Sequence, residues 1–241
     1  MSVDTGAALA FAAMTFFSTL AGGITALRWP GRPQALMALA GGVVLAAAFF
    51  DLLPEAIQQA GEIDMSVSVP LSLALVGYLV FHLFDRFVHR HLEESEGGRS
   101  AAGLIGAGSF VLHSFFDGLA IGLGFQISAG VGVIVAVAVL GHDFSDGLNT
   151  VSYMAAHKQP ARRSLWMLIA DALTPLAGAL IATFTPVPNS VFPLAIGFFS
   201  GLFIFAAATR LLPGTVGLGY LLSSSLTVGG AVAMFLISRL A

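Results

Sequence analysis

Two short stretches of this sequence repeat the same donors at the same spacing. The first is His113-Ser114-Phe115-Phe116-Asp117-Gly118-Leu119 and the second is His142-Asp143-Phe144-Ser145-Asp146-Gly147-Leu148. In a helix, residues four apart share one face about one turn apart, so each stretch presents an imidazole beside a carboxylate. If two neighbouring helices turn these faces together, two imidazoles and two carboxylates surround one point. Imidazole with carboxylate suits zinc, iron(II), manganese, cobalt or cadmium, and disfavours thiolate-seeking copper(I). The chain has no cysteine, so any metal must be held by nitrogen and oxygen. Asp143 lies roughly 100° round the helix from His142 and could reach an adjacent position. Asp171, from a later apolar stretch, could add another carboxylate.

Each of these residues also has a purely structural reading. A lone histidine in a membrane is often an interhelical hydrogen-bond partner, Asp171 could bond Thr174 or a neighbouring backbone, and Asp143 could carry protons. The duplication argues for a shared cation. Gly118 and Gly147, directly after the acids, would let the helices approach closely.

The elements that must position these residues follow from composition. The 241 residues are 57 % hydrophobic and 10 % charged, with a mean hydropathy of +0.91. A soluble domain carries about a quarter charged residues, so this chain cannot cover a water-facing surface. A net charge of −3 gives no patch to neutralise phosphates, which excludes a nucleic-acid partner. Eight apolar segments reach the roughly 20 residues that a bilayer core needs: 6–27, 35–59, 69–91, 102–126, 130–156, 164–184, 192–212 and 216–238. The expected fold is therefore an all-α polytopic membrane protein, one transmembrane domain over 1–241, with a short solvated loop at 89–100. No basic residue precedes the first apolar run, so that segment reads as a retained helix and not a cleaved signal.

Six of the thirteen acidic residues fall inside the expected spans: Asp51, Glu55, Asp117, Asp143, Asp146 and Asp171. Charge at the bilayer centre costs about 2.5–3.5 kcal/mol on insertion scales, so such residues face a polar interior and mark a function. Nine of the ten basic residues lie at the odd-numbered loops, Arg239 being the exception. That asymmetry puts those loops in the cytoplasm and both termini outside. Asp51-Leu52-Leu53-Pro54-Glu55 in the second segment is echoed by Arg210-Leu211-Leu212-Pro213-Gly214 in the seventh. These segments run in opposite directions, which suits an inverted repeat of helices one to three and six to eight around a central pair. His82, His89 and His91 lie at or beyond the end of the third segment and read as solvated residues.

These motifs resemble those of the ZIP (Zrt-/Irt-like protein) metal transporters. His113-Ser-Phe-Phe-Asp117-Gly118 is similar to the family's fourth-helix signature, His142-Asp143-Phe-Ser-Asp146-Gly147 to its fifth, and Leu52-Leu53-Pro54-Glu55 to the end of its second. The resemblance implies a carrier of divalent metal ions, zinc foremost, into the cytoplasm. It implies a metal site of His113, Asp117, His142 and Asp146, with Asp171 as a further ligand and Asp143 serving a second position. Asp51 and Glu55 would sit at the outer entrance, and His89 and His91 are candidates near the exit or loop. It also implies that helices one, four, five and six slide against the rest. The metal is then substrate, not catalytic cofactor; the setting is the bilayer of the cell's inner (plasma) membrane, with a homodimer left open. Ser114 stands where the family usually has Asn, which weakens the second position, and Arg210 stands where acids often line the exit.

Two other classes compete. An intramembrane zinc hydrolase could use the same donors, but His-Glu-x-x-His and Gly-x-Ser-x-Gly are both missing. A proton-linked solute transporter could use the acids as relays, but has no need of duplicated histidines.

Overall fold

The computed structural model describes residues 5–28, 34–88 and 99–239. His89 and His91, with most of the 89–100 loop, lie outside the described residues. Among those described, eight helices are long and apolar enough to cross a membrane, and there is no β-strand. They are α1 (Thr5–Arg28), α2 (Gln34–Glu62), α3 (Ser68–Val88), α4 (Arg99–Ile127), α5 (Ala129–Ala156), α6 (Ala161–Phe184), α7 (Asn189–Thr215) and α8 (Tyr220–Ser238). The chain is thus an integral membrane protein with the predicted eight spans.

The helices sort into two groups. Helices α1, α4, α5 and α6 pack on one another, while α2 packs on α8 and α3 on α7. Lipid is as apolar as leucine, so close backbone approach rather than water exclusion holds such helices together. A Cβ at Gly118 would overlap the Pro175 carbonyl of α6, and one at Gly147 would overlap the Thr19 carbonyl of α1. The glycines after the two acids therefore seat α4 on α6 and α5 on α1, as their position in the motifs predicts.

Neither Leu-Leu-Pro helix is regular, which the hydropathy pattern does not reveal. Residues Ala47–Leu52 of α2 and Ala206–Leu211 of α7 form π-helical turns. In both, the amide of the residue directly before the proline reaches five back: Leu53 donates to the Ala48 carbonyl and Leu212 to the Ala207 carbonyl. Proline has no N–H to give and its ring crowds the carbonyl four residues earlier, so a widened turn absorbs the misfit. In α6 the same problem at Pro175 is met differently. The Asp171 carbonyl loses its amide partner there, and the Thr174 hydroxyl lies 3.0 Å from it.

Helices α4 and α5 form a tight antiparallel hairpin through Ser128, whose Oγ accepts the Val131 amide at 3.1 Å. His113 lies fifteen residues before Ser128 and His142 fourteen after it. At 1.5 Å per residue, the two imidazoles therefore start at nearly the same depth.

Candidate metal centre

The hairpin brings the four motif residues together. His113, Asp117, His142 and Asp146 each offer a ligand atom, and these atoms all lie within 4.8 Å of one another. All four side chains are buried, Asp146 the least so at 2 % exposed. His113 Nε2 is 3.4 Å from Asp117 Oδ2 and 3.7 Å from Asp146 Oδ2. His142 Nε2 is 3.4 Å from the same Asp117 oxygen and 3.8 Å from the same Asp146 oxygen. A tetrahedron with metal bonds of about 2.0–2.1 Å has edges of roughly 3.3–3.4 Å. The four cross-distances match that edge to within a few tenths of an ångström.

The hydrogen bonding around His142 tells which atoms face inward. Its Nδ1 lies 2.8 Å from the Ala138 carbonyl, which can only accept. Nδ1 therefore carries the hydrogen, and Nε2 of the neutral ring turns a lone pair toward two carboxylate oxygens. Acceptor facing acceptor at this range is unfavourable unless a cation stands between them, either a proton or a metal. Unpartnered buried atoms concentrate here as well: both nitrogens of His113, Asp117 Oδ1, both oxygens of Asp143 and Asp146 Oδ2. Such atoms cost about 1–3 kcal/mol each when left unsatisfied.

Aromatic rings from the other helix group close the site. Phe81 of α3 meets His113 edge-on at 5.9 Å, and Phe203 of α7 meets His142 edge-on at 5.8 Å. The donors thus sit at the boundary between the two groups.

The remaining predicted residues are placed differently. Asp171 is fully buried but its oxygens are occupied: Ser114 Oγ donates to Oδ1 and Thr150 Oγ1 to Oδ2, each at 2.7 Å. It lies outside the group of four, tying α6 to α4 and α5. The bond to Thr174 weighed for Asp171 exists only at its backbone carbonyl. Asp143 is also fully buried and outside the four, with neither oxygen partnered. Asp51 and Glu55 line a separate cavity of about 160 Å³ with Gln58, Val131 and Ile134, far along α5 from His142. His82 stacks on Tyr78. Thr150 is missed by the motif reading, although it extends the His142–Asp146 stripe by another four residues.

A larger cavity of about 330 Å³ opens at the opposite end, lined by Asn149, Ser152 and Tyr153 of α5, Phe110 of α4 and Arg210 of α7, among others. Asn149 is three residues beyond Asp146, so this cavity begins within a turn of the donors.

No family model matches the sequence. The chain is 27 % identical over 178 residues to an Arabidopsis thaliana protein that bears the name of a zinc transporter, which covers 73 % of this chain and 28 % of the relative. It is 29 % identical over 134 residues to the mouse zinc transporter ZIP4, 53 % of this chain and 20 % of that protein. The human ZIP4 is 29 % identical over 102 residues, 42 % of this chain and 16 % of that protein. The chain therefore spans less than a third of the length of the curated relatives it matches. Beside the paired donor signatures that converge on one point among eight spans, the chain is thus similar, at 27–29 % identity, to proteins named as zinc transporters, ZIP4 among them.

Proposed function

We propose that this chain carries divalent metal ions, zinc foremost, across a cell's inner membrane into the cytoplasm. The observation that carries this reading is the ring of two imidazole nitrogens and two carboxylate oxygens at tetrahedral spacing, buried at mid-span. The relatives named as transporters point the same way, and nothing among them favours a hydrolase. Iron, manganese, cobalt and cadmium share the donor preference and are the alternative cargoes.

The route and cycle are part of the same proposal. The basic-residue asymmetry places the odd loops and the larger cavity on the cytoplasmic side, so Asp51 and Glu55 mark the outer entrance. The inverted repeat is supported by the way packing recurs. Exchanging α1 with α6, α2 with α7, α3 with α8 and α4 with α5 turns the α1–α5 contact into α6–α4, and α2–α8 into α7–α3. The π turns recur under the same exchange. Alternating access then follows if the α1, α4, α5, α6 group slides past the other four helices, carrying the donors between the two cavities.

The test is uptake of radioactive zinc into proteoliposomes. His113→Ala and Asp146→Ala should each abolish uptake while leaving expression and the folded yield intact. Uptake at the unsubstituted rate in both variants would remove the site from the mechanism.

A further inference from the structure

Four carboxylates, those of Asp117, Asp143, Asp146 and Asp171, are buried around the site. Among the side chains described, every other lysine and arginine is exposed, and Arg210 stands apart at 9 % exposed. It projects from α7 to Ser109 Oγ of α4, 3.4 Å from its Nη2. Ser109 is four residues before His113, so the guanidinium lies about one helical turn from the donors.

Arg210 is loosely held. Among the described residues its nearest carboxylate is Asp85 Oδ1 at 3.6 Å, on a side chain one-third exposed, where pairing is weak. Its Nη1 has no partner. The guanidinium plane is otherwise flanked by Phe110 and Phe205, with its carbon 4.3 and 5.3 Å from the ring centres. Placed on the cytoplasmic path, such a charge would only repel a leaving dication, unless it has a use once the metal has gone.

A carrier that has released its cargo must return with its donors empty. Moving several buried carboxylates without a counter-charge is costly in a low-dielectric interior. We propose that Arg210 is the tethered counter-cation of the metal-free carrier, turning its free guanidinium edge toward the vacated carboxylates so that the empty form can cross back. This rests on the transport reading above. In that cycle metal and Arg210 serve the same acids in alternation, and the loose hold of Asp85 and Ser109 leaves the side chain ready to move.

Reconstituted protein distinguishes the return step from the loaded step. Net zinc uptake into empty vesicles requires the metal-free return, whereas isotope exchange between zinc-filled compartments does not. Arg210→Met should slow net uptake about tenfold or more, equivalent to at least about 1.4 kcal/mol on the return barrier, with exchange near the unsubstituted rate. Arg210→Lys, which keeps the charge, should recover most of the net uptake. Zinc titration of each purified variant checks that the site is folded. Equal slowing of uptake and exchange in a variant that binds zinc normally would overturn the proposal, and so would unaffected net uptake. Absence of both uptake and exchange in the unsubstituted protein would instead defeat the transport reading itself.

Discussion

Single residues set how many ions the proposed site could hold at once. Asp171, expected as a further ligand, is committed to Ser114 and Thr150, and Asp143 alone offers too few donors for a second ion. Zinc titration should therefore give one ion per chain, and a stoichiometry of two would require Asp171 to abandon both hydroxyls. Ser114→Ala removes one of those bonds and leaves a buried carboxylate oxygen short of a partner. It should cost about 1–3 kcal/mol in unfolding stability while zinc affinity changes little. The donors also set a pH response. Metal displaces protons from imidazole and carboxylate, so apparent zinc affinity should weaken as pH falls below about 6. Affinity that stays flat between about pH 5 and 8 would exclude histidine from the site.

Helix seating converts these residues into a centre. The α4–α5 hairpin sets the depth of both imidazoles, and the contacts at Gly118 and Gly147 set the rotation of each helix. A side chain at Gly118 meets the Pro175 backbone, which cannot swing aside as a side chain would. Gly118→Val should force α4 from α6, destabilise the fold by about 1–3 kcal/mol or more, and separate His113 from His142. A lowered melting temperature in detergent, with weakened zinc binding, checks this. A variant as stable and as tight as the unsubstituted protein would mean that the helices have room the packing denies.

At the scale of the whole molecule, the boundary between the two helix groups is where function should be sensitive. A Cβ at Gly141 of α5 would stand 3.8 Å from Val43 Cβ of α2, across that boundary. That spacing is close to the mean of about 3.8 Å found in disulfides, and the chain has no cysteine of its own to interfere. A Val43→Cys/Gly141→Cys double variant should transport when reduced and stop when oxidised, with recovery on adding reductant. Oxidation should leave zinc binding in detergent unchanged. Transport at full rate with the bond demonstrably formed would rule out sliding along this boundary.

Much of this architecture is legible in the residues alone. Hydropathy is a property of composition along the chain, so eight spans follow without any tertiary contact. Helical periodicity likewise puts His113 beside Asp117 and His142 beside Asp146 whatever their neighbours do. Periodicity says nothing, however, about how one helix is rotated against the next. Only packing at Gly118 and Gly147 decides that the two donor faces meet, that Thr150 and Ser114 reach Asp171, and that Asp143 turns elsewhere. The π turns depend on how the fold accommodates two prolines, and the place of Arg210 depends on α7 lying beside α4. Local chemistry follows from the order of residues, whereas convergence belongs to the relative rotation of helices, which long-range contacts alone determine.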